Sequence, residues 1–172
     1  MGVSSEPDTA QELTSASPSS AQRTKQRYRA WSALLAFAAP ALLVLGSWLL
    51  LRGALPERVA FHWDASGRPD GQVPTGPLFW GCLALSVVLF VFGVLTRFTP
   101  SNDQQDTRKA VTLVGCVAGL VAAVWLVPAI TTGLSASTSH AGLNGWLALF
   151  VVGLAYGAVT RWVTPPERVD TR

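Results

Sequence analysis

The feature that most constrains this chain is the separation of its charges from its apolar length. None of its thirteen Lys and Arg or ten Asp and Glu interrupts the stretches at about residues 30–51, 77–96, 110–130 and 143–160. A soluble helix keeps a polar face, whereas runs that are apolar all round belong in lipid, where a ~30 Å hydrocarbon core takes about 20 helical residues. The expected fold class is therefore all-α integral membrane, a four-helix transmembrane bundle. The fourth stretch is the shortest and is expected to cross with little tilt.

Residues 1–29 read as a disordered cytoplasmic tail. The part up to Gln22 is rich in Ser, Thr, Ala, Gln and Pro, with no sustained apolar period to offset the entropy of ordering. Met1-Gly2 suggests myristoylation, but Glu6 stands where Ser or Thr is required. The apolar run 30–51 exceeds a signal-sequence core and is not followed by a small-x-small cleavage site, so it is expected to stay as an anchor. Its Pro40 removes one backbone donor, which a membrane tolerates only if a neighbouring group satisfies the freed carbonyl.

Orientation follows from the basic residues. With the N-terminus inside, Arg23, Lys25, Arg27, Arg29, Arg97, Arg108, Lys109, Arg161, Arg168 and Arg172 are cytoplasmic, and only Arg52, Arg58 and Arg68 are external. The expectation is a multi-pass protein of a bacterial plasma membrane with both termini cytoplasmic, its membrane domain spanning 30–163 and a tail at 164–172. Tryptophans agree: Trp31 and Trp162 fall at inner span ends and Trp48, Trp80 and Trp146 at outer ends, the headgroup level that indole rings favour. The same basic residues account for the net charge of +3 without a nucleic-acid partner.

The informative connection is the external loop 53–76. Val59, Phe61 and Trp63 alternate with Arg58, Ala60 and His62, the period of a short strand with one apolar face. Asp64 to Gly67 predicts a turn, and Arg68-Pro69-Asp70-Gly71 predicts a second. The loop is thus expected to form a β-hairpin-like structure on the membrane surface.

Leu55-Pro56, Val59, His62-Trp63 and Gly67-Arg68-Pro69-Asp70-Gly71, taken together, resemble the motif between the first two spans of the bacterial membrane family called domain of unknown function 1648. That module also forms the N-terminal part of SdpI-like proteins, which protect producing cells from a secreted toxin. The resemblance covers roughly residues 41–95. It implies that Pro56, His62, Trp63, Asp64, Gly67, Pro69, Asp70 and Gly71 build or serve the loop. Two departures weaken the immunity analogy: Gln72-Val73-Pro74-Thr75 replaces the family's aromatic and Ser-Lys continuation, and the further spans of a full SdpI-like protein are absent from this sequence.

His62, Asp64 and Asp70 are also the candidates for a metal or acid/base group, since one imidazole and two carboxylates suit a divalent cation. The structural alternative places both carboxylates in turns and gives His62 a backbone partner. His140 is expected in a surface loop. No Asp, Glu, His, Lys or Arg lies at membrane depth, which disfavours an ion-coupled transporter. Cys82 and Cys116 fall at different depths, too far apart for the ~7 Å Cα limit of a disulfide. Gly115, Gly119 and Ala123, with Gly153 and Gly157, form small-residue strips suited to close packing of the third span on the fourth, or to a homodimer seam.

The sequence thus points to a non-catalytic binding, sensing or protective accessory protein acting through its external loop, with no cofactor. Its partners would be the lipid bilayer and an external peptide or membrane protein; its oligomeric state stays open. The alternatives are a metal-dependent membrane enzyme using the loop cluster and a small subunit of a transport or secretion complex.

Overall fold

A computed structural model describes residues 20–98, 104–135 and 146–163. In chain order they form α1 (Ser20–Leu51), β1 (Arg58–Trp63), β2 (Pro69–Pro74), α2 (Thr75–Phe98), α3 (Gln104–Ser135) and α4 (Ala148–Val163). Three helices are long and apolar enough to cross a membrane, over Trp31–Leu51, Thr75–Thr96 and Gln105–Ser135. The fourth, α4, has 16 residues and falls short of that length. Residues 143–145 of the expected fourth span, and His140, lie outside the described residues. In contrast to the tail expected through residue 29, α1 already begins at Ser20. Its first turns are built from Ala, Gln, Arg and Lys, good helix formers with nothing to stop them running into the apolar segment. Likewise α3 starts at Gln104 and continues to Ser135, beyond the expected 110–130.

The core gathers around α3, which packs against α1, α2, α4 and β1. Trp125 is wholly buried there, its ring 5.9 Å from Trp48 and 5.4 Å from Phe79, while Trp48 stacks on Phe79 at 4.4 Å. Trp125 Nε1 donates to Ser47 Oγ at 2.8 Å, and Ser47 Oγ donates to the Val44 carbonyl at 2.9 Å, so the indole's one polar atom is satisfied inside the bundle. Trp48, at the outer end expected of its span, is partly buried against Phe79 and Trp125. Trp80 does stay outside, 65% exposed. Leu42, Leu50, Val88, Phe92, Leu95 and Val151 form the outward-facing apolar surface that a bilayer would cover.

Pro40 lies within α1 and leaves the Ala36 carbonyl without its helical donor. The Tyr156 hydroxyl of α4 donates to that carbonyl. The defect in one helix is thus repaired by a side chain of another. Elsewhere the α3–α4 contact is backbone-close: a Cβ on Gly153 would stand 2.7 Å from the Gly119 oxygen, and one on Gly157 2.6 Å from the Thr112 oxygen. A Cβ on Gly119 would run into the Gly153 carbonyl, and one on Gly115 into Thr160 Oγ1. The two glycine strips therefore face each other within one chain. Cys116 Sγ donates to the Leu154 carbonyl at 3.1 Å across the same seam, and both cysteines are free thiols.

Candidate functional site: the hairpin between the first two helices

The connection between α1 and α2 is a two-stranded antiparallel sheet fixed at three levels. At its base, the Thr75 N–H donates to the Glu57 carbonyl at 2.9 Å and Thr75 Oγ1 to the Pro56 carbonyl at 2.6 Å, so the first residue of α2 closes the hairpin. Midway, the Ala60 N–H donates to Thr132 Oγ1 of α3 at 3.1 Å, with Val59, Ala60 and Thr132 all fully buried. At the tip, Asp64 Oδ1 accepts from the Ser66 N–H at 2.8 Å, Ser66 Oγ at 2.6 Å and the Arg68 N–H at 2.9 Å. The Asp64 N–H also donates to the Arg68 carbonyl at 2.8 Å, and Gly67 takes φ 77°, the left-handed conformation that glycine enters without a Cβ penalty.

These contacts hold the Asp64 carboxyl below the usual carboxylate range, the Ser66 hydroxyl contributing most and the Arg68 N–H next. All three donors bond the ionised form, which is why they favour it.

The register explains the middle of the hairpin. Ala60 faces Gln72 and His62 faces Gly71, so Phe61 is an extra residue on β1; Trp63 then faces Pro69, which makes Asp70 an extra residue on β2. Two bulges on opposite strands compensate each other, and bulges re-aim side chains. They defeat the strict alternation read from the sequence: the consecutive residues Val59 and Ala60 are buried while Phe61 is 41% exposed. They also replace the second turn expected at Arg68–Gly71, because Pro69–Pro74 is strand. The chain reverses once, at Asp64–Arg68, and Asp70-Gly71 is used for pairing.

The bulged Asp70 carboxylate meets His62 Nδ1. The two side chains are 47% and 72% exposed. Gly71 stands opposite the imidazole's stem, where a Cβ would lie 2.8 Å from His62 Cβ. In the neutral ring a carboxylate at Nδ1 favours the tautomer with its proton on that nitrogen, which leaves Nε2 as the acceptor. Of the three metal candidates only His62 and Asp70 come together; Asp64 is turned into its own loop, and among the described residues no group of three His, Cys, Asp or Glu side chains converges. The structural reading of Asp64 as a turn residue describes what it does. That reading does not describe Asp70, whose partner is His62 instead of a turn.

Thr132 was not legible as part of this site, because a hydroxyl near the end of a long apolar helix carries no spacing that points to a strand 72 residues earlier. Gly93, whose Cβ would strike the Phe37 ring, was likewise missed.

Fold and site define a helical, membrane-type scaffold in which a rigid hairpin separates two apolar helices of crossing length. Residues 33–90 match the model of the family described as domain of unknown function (DUF1648), so the chain carries that module. The match takes in the apolar part of α1, the whole hairpin and most of α2, and it leaves out α3 and α4. No curated protein and no solved structure matches the chain.

Proposed function

We propose that this is a four-pass protein of a bacterial plasma membrane, with both termini cytoplasmic, whose external hairpin is a non-catalytic recognition element for a peptide or membrane-protein partner. The observation that carries the reading is the exposed His62–Asp70 pair on a hairpin fixed at base, middle and tip. A preorganised surface loses little freedom on binding. Phe61 supplies apolar contact beside it, and Arg58 and Arg68 attract anionic groups. Catalysis would need a nucleophile or a further acid or base beside the imidazole. Asp64, the residue the enzyme alternative draws on, is committed to the turn. A protective role of the SdpI-like kind is one form this recognition could take.

The test is deletion in the native host followed by challenge with culture supernatants and membrane-active peptides, with complementation by wild type, His62→Ala and Asp70→Asn. Tolerance restored by wild type and by neither variant supports recognition through the hairpin. Wild-type behaviour of both variants, in a strain whose deletion has a phenotype, sinks it.

A further inference from the structure

The end of the bundle opposite the hairpin carries a different chemistry. Among the described residues there, Arg27, Arg108, Lys109 and Arg161 face a single acidic side chain, Asp106, and that one is taken by Lys109 at 3.1 Å. The Thr160 hydroxyl, 3.2 Å from the Val111 carbonyl, sets the last turn of α4 beside the first turns of α3. Arg108 lies one turn before Val111 on the same face of α3, and Arg161 follows Thr160 in the last turn of α4, so both guanidinium-bearing residues stand at this end of the α3–α4 pair. Arg108 is partly buried, and its Nε has no hydrogen-bonding partner. A buried donor of that kind calls for an acceptor that the described residues do not supply. Around the same end Tyr28, Trp31 and Trp162 are 73%, 62% and 84% exposed, amphipathic rings of the sort that settle at headgroup depth.

We infer that the mouth of the α3–α4 seam is a binding site for an anionic phospholipid, its phosphate held by Arg108 and Arg161 and its glycerol region against Trp162. A guanidinium matches phosphate oxygens with a planar fork of donors, and the aromatic rim fits a ligand with one end in water and the other in hydrocarbon. A lipid is the occupant favoured here because the charge sits where helices of crossing length end. The inference is independent of the hairpin's role.

The test uses the full chain in nanodiscs of mixed phosphatidylglycerol and phosphatidylcholine, released into native mass spectrometry to count retained lipids. Wild type retains phosphatidylglycerol over phosphatidylcholine; Arg108→Gln and Arg161→Gln each weaken that retention about five-fold, the effect of one basic residue at an anionic surface. Arg52→Gln at the hairpin end leaves it unchanged. Arg161 is exposed, so its variant reads out binding even if Arg108→Gln disturbs folding. Equal retention in Arg161→Gln, equal loss in Arg52→Gln, or no preference between the two lipids overturns the inference. Displacement of the lipid by millimolar inorganic phosphate also overturns it, showing a phosphate site instead of a lipid site.

Discussion

Removing the Tyr156 hydroxyl tests whether α4 is held to α1 by the gap that Pro40 opens. In Tyr156→Phe the Ala36 carbonyl loses its donor, and because Pro40 has no N–H, no helical donor replaces it. Hydrogen bonds between membrane helices are worth about 0.6 kcal/mol on average and about 1.7 at most, the average being low because alternative partners exist. Here the alternative is missing, so the cost falls at the upper end, about 1.5 kcal/mol. In a Pro40→Ala background the new N–H takes the Ala36 carbonyl, and the same Tyr156→Phe change costs about 0.5 kcal/mol. The double-mutant cycle therefore gives a coupling of about 1 kcal/mol. Reversible unfolding in mixed micelles, read by tryptophan fluorescence, measures all four corners. Equal costs of Tyr156→Phe in the two backgrounds would refute the argument, and the hydroxyl would then owe its effect to packing alone.

Four further outcomes follow from other contacts. Gly119→Val drives side-chain atoms into the Gly153 carbonyl and destabilises the bundle by 3 kcal/mol or more, on the order of a badly overpacked core, whereas Gly46→Ala, with nothing within 4 Å of its Cβ, changes stability by less than about 0.5 kcal/mol. Gly67→Ala forces a Cβ into the left-handed region at a cost of about 1–2 kcal/mol, visible as faster amide exchange at the hairpin tip. Thr132→Val strands the buried Ala60 N–H and costs about 1–3 kcal/mol, with the Ala60 amide exchanging faster than its neighbours. Because the Asp64 carboxyl titrates below its ordinary value of 3.8, its contribution to the turn is complete above that pH and is lost as pH falls through the lower native value. Asp64→Asn removes this acid dependence, as followed by the NMR shift of the Ser66 amide.

What the sequence made legible is what periodic or compositional physics controls. Continuous apolarity located three helices of crossing length, because nothing polar had to be accommodated within them. Small residues four apart located the α3–α4 seam, because only a missing side chain lets two backbones approach so closely. Pro40 announced an orphaned carbonyl, but its partner could not be named: Tyr156 lies 120 residues away, and only the bundle sets them side by side. The same reason hid Thr132 from Ala60 and Ser47 from Trp125. It also hid the stacking of Trp48 on Phe79.

The hairpin shows why a spacing can be informative while its simplest interpretation fails. Pro69-Asp70-Gly71 has the composition of a turn, and residue by residue that reading is sound. Yet Asp64 has already closed the reversal with three accepted hydrogen bonds, so a second turn so soon would prevent Thr75 from reaching Pro56 and Glu57 at the base. The strand must run on to Pro74, and the surplus residue is absorbed as a bulge. Once Phe61 is surplus on β1, only a matching surplus on β2 restores the pairing at Trp63 and Pro69. Asp70 is that residue, and it is thereby placed against His62. Gly71 is then required for a reason unrelated to turns, since any side chain there meets the imidazole's stem. The spacing from His62 to Asp70 and Gly71 is therefore the length of one tight reversal plus one compensating bulge, and a single-residue insertion between Asp64 and Pro69 would separate the pair while leaving both residues in the chain.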